Sequence, residues 1–373
     1  MAFVESLLEE ANYMKGEFNI ESLWRKMGGA GQIVIWGTGL AGNMIYNALK
    51  QRGMEPDLFV DSDSVRQGKE IDGKKVVGPT EIPQKALVII AANVRYRIHE
   101  MLDNRAIEYM YIDPVFLHFW NPQMDVSEIL RENSKEIDTV YKCLSDNYSK
   151  KVFKNVLIHR MVHNINLIWD VYEPNQYFSN CTVKKAKGCF VDCGAYQGDT
   201  LKSFLNQIGD EPYEYYAFEA EKRNYEILSE YCKKNKLEKV HPLNLGVWDK
   251  AEELYFQSDN ITGDVSGKIM SEQDRNVEKV MADSIDNILS EANIDFIKMD
   301  IEGAEIRALN GARESIRRSR PILTISAYHE LEHLWQVPLL IKEINAGYKI
   351  FFNHHMWNMA DTVCYAVEKN SVV

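Results

Sequence analysis

The densest run of residues able to do chemistry is Asp192-Cys193-Gly194-Ala195-Tyr196-Gln197-Gly198-Asp199, which turns from an apolar stretch into a helical one. Gly194 has no Cβ, so the backbone can approach a ligand closely. Asp192 precedes the glycines and Asp199 follows Gly198. Two carboxylates flanking a turn repel a pyrophosphate and suit a ligand that carries positive charge. Glu219 closes the next apolar stretch, 25 residues after Gly194. A carboxylate there can accept both hydroxyls of a ribose; the plainer reading is an acid that caps the following helix. Together these residues suit a cationic nucleoside, and S-adenosylmethionine, with its ammonium and sulfonium, is such a ligand.

A third group lies in Asp295-Phe296-Ile297-Lys298-Met299-Asp300-Ile301-Glu302. If this is a strand, Lys298, Asp300 and Glu302 share one face. Central parallel strands are normally apolar on both faces, so polar residues at the carboxyl end of one suggest a site. A buried ion pair between Lys298 and a neighbour is the alternative.

A second glycine loop occurs near the N-terminus. Gly37, Gly39 and Gly42 form a G-x-G-x-x-G pattern between a predicted strand and a predicted helix, and Asp61 lies 22 residues beyond Gly39. That context fits a dinucleotide site, as in an NAD-dependent oxidoreductase, with pyrophosphate at the helix N-terminus and ribose on Asp61. It fits equally a Rossmann-like domain that binds a nucleotide-sugar, or one that has lost its ligand. The stretch also resembles the small Rossmann-like domains of sugar acyltransferases and some sugar methyltransferases.

Two α/β series are needed to position these groups. Residues 32–36, 57–61, 86–92 and 109–113 read as strands of the first, with a turn at 76–79. The strand signal disappears over roughly 126–169, where helical spacing takes over. Residues 189–193, 213–219, 240–248, 253–257, 295–301, 321–328, 348–354 and 362–368 read as strands of the second, with 258–277 as a loop. Alternation of this kind implies parallel sheets, and the two adjacent final strands imply an antiparallel partner at one edge. The expected organisation is a Rossmann-like domain over 1–125, a helical connector over 126–180, and a second Rossmann-like domain over 181–373. The connector reads equally as the first part of the second domain.

Composition narrows the partners. The chain of 373 residues carries 43 basic and 55 acidic side chains, a formal charge of −12. That excess repels nucleic-acid backbones. The six cysteines form no C-x-x-C pair, and the acidic N-terminus lacks the basic start of a signal peptide. The strongly apolar run near 86–92 is far shorter than the ~20 residues that span a bilayer. A cytoplasmic protein without membrane contact is expected, either alone or as an oligomer.

The residues of the second half resemble the FkbM family of methyltransferases. The resemblance rests on Val191-Asp192-Cys193-Gly194-Ala195-Tyr196-Gln197-Gly198-Asp199, on Phe218-Glu219, on Asp283-Ser284-Ile285-Asp286, and on the string from Ile294 to Glu305. It continues through Pro321-Ile322-Leu323, Tyr328-His329 and Thr362-Val363-Cys364-Tyr365-Ala366, covering about half the chain. It implies a class I methyltransferase sheet, S-adenosyl-L-methionine as donor, and a hydroxyl of a sugar, glycan or related small molecule as acceptor. By the resemblance, Asp192, Gly194 and Glu219 bind the donor, and the Asn244-Leu245-Gly246 turn lies near adenine. Ala195, Tyr196, Gly198, Asp199 and Asp300 complete the expected donor site.

Transfer to a hydroxyl needs a base. His329, at the carboxyl end of a predicted strand, has the ordinary pKa of ~6.5 for the task. Asp300 is the competing base or an orienting group, and Lys298 is a further candidate. His333, His354 and His355 could reach the same edge. Asp300, Glu302 and His329 could also hold Mg²⁺, although no ligand spacing marks a metal site and metal dependence stays open.

Overall fold

The computed structural model describes residues 2–14, 20–91, 95–115, 124–178, 188–208, 211–258, 267–270 and 278–368. Cys181, residues 15–19 and most of the expected 258–277 loop lie outside them. The chain divides into two compact units. The first comprises Met1–Asn133, Lys154–Tyr172 and Trp357–Ala360; the second comprises Ser134–Phe153, Glu173–Met356 and Asp361–Val373. Of the expected connector, 126–133 and 154–172 go with the first unit, 134–153 and 173–178 with the second.

In the first unit the strands are β1 (Gln32–Trp36), β2 (Leu58–Val60), β3 (Glu70–Ile71), β4 (Lys74–Val77), β5 (Ala86–Ile90) and β6 (Glu108–Tyr111). They form one sheet in the order β3-β4-β2-β1-β5-β6, parallel except for β3 and β4. Side chains alternate across it: Ile33 and Ile35 pack with Phe59 and the helix Leu40–Gln51, whereas Val34 and Trp36 pack with Val60, Ile98 and Leu102. The expected turn at 76–79 is corrected, since Val76 and Val77 belong to β4. Asp72 and Gly73, at φ 47° and 74°, make the two-residue hairpin that feeds it.

In the second unit the chain order is β7 (Gly188–Cys193), β8 (Tyr213–Phe218), β9 (Val240–Leu243), β10 (Gly246–Val247), β11 (Glu252–Ser258), β12 (Gly267–Met270) and β13 (Glu278–Asp283). Then follow β14 (Phe296–Met299), β15 (Ile322–Ser326), β16 (Tyr348–His354) and β17 (Thr362–Glu368). Seven strands form a sheet ordered β16-β17-β15-β14-β7-β8-β9, with β17 antiparallel to both neighbours and β16 at the rim. The single strand expected over 240–248 is two: β9 joins this sheet, and β10 joins a smaller one ordered β10-β13-β11-β12.

The core of the large sheet includes an aromatic row. Phe190 stacks on Tyr215 at 4.8 Å and on Phe296 at 4.5 Å between ring centres, across three adjacent strands. Such pairs contribute about 0.5–1.5 kcal/mol each beyond burial. The chain leaves β7 for β8 on one side and returns through β14 on the other. This reversal opens a crevice at the carboxyl ends of the central strands, the usual ligand position in open α/β sheets.

Candidate active site

The floor of the crevice is set by register. Lys298 on β14 pairs with Asp192 on β7, so their side chains meet on one face. The Lys298 ammonium lies 3.0 Å from Asp192 Oδ1 and donates to the Gly194 carbonyl at 2.6 Å. Tyr215 Oη donates to Asp192 Oδ2 at 2.6 Å. Burial pushes the Asp192 carboxyl up, against Lys298 and Tyr215. Burial also opposes the Lys298 charge, but Asp192, Asp300 and Asp199 raise the ammonium's pKa above its ordinary value. Asp192 exposes no surface and Lys298 only 2%. The buried ion pair named as the alternative for Lys298 is present, with Asp192 as its partner. The pair acts through the Gly194 carbonyl it holds.

Above the pair, Gly194 sits at φ 79°, and a Cβ there would collide with the Asp300 carbonyl oxygen. Its amide and that of Ala195 donate to the Phe218 carbonyl at 3.0 and 2.9 Å, tying the loop to β8. Tyr196, itself at φ 46°, donates its amide to Glu219 Oε2 at 2.8 Å, and Glu221 donates its amide to Oε1 at 2.9 Å. Each carboxylate oxygen keeps a second lone pair. Burial pushes Glu219 up to about 7, against those two amides. Asn244 donates to the Glu219 and Ala220 carbonyls at 2.9 and 3.0 Å, which brings the Asn244-Leu245-Gly246 turn beside Glu219. Gly198, at φ 83°, packs against Leu228, and Asp199 stands exposed in the first turn of the helix Asp199–Ile208. The structure thus brings the loop, Glu219 and the 244–246 turn together.

The other wall is ionisable. β14 ends at Met299, so Asp300 and Glu302 lie in the turn beyond it, and Glu302 takes φ 54°. The expected extended face through Glu302 is corrected accordingly. His329 Nδ1 lies 2.9 Å from Glu305 Oε1, and Nε2 lies 3.5 Å from both Asp300 Oδ1 and Glu302 Oε2. Burial pulls the His329 pKa down, but Glu305, Glu302 and Asp300 outweigh it and lift it to about 10. A ring whose acidic neighbours favour its protonated form is a weaker proton acceptor, which weighs against His329 as the base. Glu305, fully buried, also lies 3.3 Å from His333 Nδ1 and accepts from the Ile301 amide at 3.0 Å. Burial raises its pKa, yet the two histidines hold it below the carboxylate range.

Tyr177 Oη donates to Asp300 Oδ2 at 2.8 Å, and Tyr328 Oη lies 3.5 Å from Oδ1. Local spacing gives Glu305, Tyr177 and Tyr328 no role; the fold brings them to His329 and Asp300. His354 and His355 do not join this group. His354 Nδ1 pairs with the Thr362 hydroxyl, and His355 bridges the Glu173 carbonyl and Tyr365 Oη.

In the first unit, Gly37 and Gly42 are required by the backbone itself. A Cβ on Gly37 would strike the Ala91 carbonyl, and one on Gly42 the Gly37 carbonyl. Gly39 caps the helix Leu40–Gln51 without a side-chain bond. Asp61 is drawn into the loop: it accepts from the Thr38 amide at 3.0 Å, the Thr38 hydroxyl, the Asp63 amide at 2.9 Å and Arg66 at 3.3 Å. This use of its lone pairs does not favour a ribose there. Among the described residues no helix is long and apolar enough to cross a membrane.

Comparison with known proteins agrees with this geometry. Residues 192–359 match the family described as methyltransferase FkbM domain, and residues 29–112 match the family described as C2185-like, N-terminal. Among solved structures, methyltransferase FkbM from Methylobacillus flagellatus KT superposes with a TM-score of 0.74 at 20% identity, covering 97% of this chain and 98% of that one. At that identity the likeness concerns the fold. Fibrillarin from Aeropyrum pernix, with bound S-adenosyl-L-methionine, covers 49% of this chain and 68% of its own at 11% identity and TM-score 0.32. An rRNA methylase from Streptococcus thermophilus covers 49% and 88% at 12% identity and TM-score 0.31. Likenesses that low carry no argument. The search of curated proteins found no match. The glycine loop and strand-end acids described above thus lie within, or beside, a recognised domain: the chain carries a methyltransferase FkbM domain over residues 192–359.

Proposed function

We propose that the chain transfers a methyl group from S-adenosyl-L-methionine to a hydroxyl of a sugar, glycan or related small molecule. The observation that carries the reading is Glu219. It is a buried carboxylate at the end of β8, oriented by two backbone amides and set beside a loop whose Gly194 has no room for a Cβ. Those features fit a ribose and the methionine portion of the donor. In this reading Glu219 takes the ribose hydroxyls, the Gly194-Ala195-Tyr196 backbone lines the methionine portion, and the 244–246 turn flanks the adenine.

When bound, the donor supplies an electrophilic methyl carbon on sulfur. With the donor held there, an acceptor hydroxyl would take that methyl in exchange for its proton, the sulfur leaving as the neutral thioether, and the chain's own part would be to receive the proton. In this reading the carboxylate of Asp300 or Glu302 receives it rather than His329, whose pKa its acidic neighbours raise. Burial raises the Glu302 pKa, against the opposing charge of His329, and brings it closer to the working pH, as a general base requires. Residues 181–373 would carry the whole reaction, in a cytoplasmic setting, leaving the N-terminal region for a nucleotide, a nucleotide-sugar or a scaffolding role. Incubating the protein with the donor and a panel of sugars and glycans, with mass detection of an added methylene, tests the reading. Donor binding without turnover on any hydroxyl acceptor would count against it.

A further inference from the structure

The wall opposite Glu219 has a charge problem that the methyl-transfer reading does not resolve. Asp300, Glu302 and Glu305 converge on His329. Two histidines face these three carboxylates: His329 itself, and His333 at 3.3 Å from Glu305. Burying an excess of like charge is costly unless a cation joins it.

The geometry of His329 shows where a cation would sit. Its side chain is 8% exposed, Nδ1 contacts Glu305 Oε1 at 2.9 Å, and Nε2 has no hydrogen-bond partner among the described residues. Nε2 instead looks between Asp300 Oδ1 and Glu302 Oε2, each 3.5 Å away. Ligand atoms bonded to one metal at about 2.1 Å lie roughly 3.0–3.4 Å apart. Asp300, Glu305 and His329 offer ligand atoms that all lie within 4.8 Å of one another, and Glu302 joins them through its 3.5 Å contact with His329 Nε2. A carboxylate behind the far nitrogen of a histidine is the usual way to fix the ring for metal binding, and Glu305 occupies that place.

We propose that Asp300, Glu302 and His329 Nε2 bind a divalent metal ion, the Nε2 proton leaving to solvent as the ion enters, with Glu305 orienting the His329 ring through Nδ1. The two outer carboxylates are 24% and 42% exposed, so the coordination sphere opens toward the crevice, as a catalytic rather than a structural site requires. Carboxylates favour Mn²⁺ or Mg²⁺, and the single imidazole extends the range to Zn²⁺ or Fe²⁺. The metal site stands on its own residues. Its place in methyl transfer, polarising the acceptor hydroxyl and neutralising the developing alkoxide, rests on the function proposed above.

The test is Mn²⁺ binding by the full chain after chelator treatment and dialysis, followed by electron paramagnetic resonance. The expected result is one bound Mn²⁺ with nitrogen coupling from one histidine in spin-echo spectra. Glu302→Gln should weaken Mn²⁺ at least ten-fold, and His329→Asn should remove the nitrogen coupling. Asp61→Asn should leave both unchanged, provided circular dichroism shows each variant folded. A folded wild-type chain with no stoichiometric Mn²⁺, or Mn²⁺ bound without nitrogen coupling, would overturn the site. Donor binding measured in the same metal-free protein separates the two ideas: it should persist if the methyltransferase reading holds and only the metal site is wrong.

Discussion

Lys298 and Asp192 meet 3.0 Å apart across the two central strands, and the same ammonium holds the Gly194 carbonyl at 2.6 Å. The pair links sheet register to loop geometry: the residues that look most reactive in the sequence hold the loop from beneath. Removing one partner leaves the other charged, buried and alone. Lys298→Met should therefore destabilise the chain by roughly 3–5 kcal/mol, read as a fall in Cm in urea. The double variant Lys298→Met/Asp192→Asn should recover part of that loss. A Lys298→Met protein as stable as the parent would contradict the pairing.

Gly194 is the second point where backbone geometry dictates the residue. Gly194→Ala places a methyl against the Asp300 carbonyl at a left-handed φ, at a cost of about 1–3 kcal/mol. Since the same backbone would line the donor, the substitution should also weaken S-adenosylhomocysteine by more than the stability loss explains. Calorimetry on the folded fraction checks this, and unchanged affinity would place the donor elsewhere.

The Glu219 pKa gives a pH signature. Its folded value is raised to about 7, so the ionised form, the better acceptor of ribose hydroxyls, grows as pH rises through 7 and is lost below it. Donor affinity should increase between about pH 6 and 8 and level off above, by up to roughly ten-fold per unit on the acid side. In Glu219→Gln the slope should vanish. A parent protein whose affinity is flat over that range would show that Glu219 is not the group bound.

His329 offers a direct spectroscopic check. With its pKa lifted to about 10 by Glu305, Glu302 and Asp300 against burial, the ring should carry two N–H protons at pH 7.5 in metal-free protein. Nitrogen-15 spectra of the imidazole report this; a neutral ring would restore His329 as a base.

Much of this arrangement is legible in the sequence, and the part that is not has a physical reason. β7, β14 and β15 stand out as apolar runs because both faces of a central parallel sheet are covered. Glu219 stands out as a strand-end acid 25 residues after Gly194, and the structure sets its carboxylate on the amide of Tyr196 in that loop. The role of Asp192 is not, because it depends on a register with Lys298, 106 residues away, that local spacing does not encode. Tyr177 is hidden for the same reason: it reaches Asp300 from a stretch with no periodicity. The strand expected over 240–248 fails where the 244–246 turn moves the chain from one sheet to another, and the protonated state of His329 depends on three carboxylates that only the fold gathers.

The central claim is that the loop after β7 and Glu219 form the donor site, and calorimetric titration of the parent chain and Glu219→Ala with S-adenosylhomocysteine tests it most directly. The account predicts near-stoichiometric micromolar binding to the parent and a loss of at least ten-fold in the variant, the scale of a buried charge-assisted hydrogen bond, about 1.5–3 kcal/mol. Heat of binding that is absent from the folded parent, or unchanged by the substitution, would contradict it.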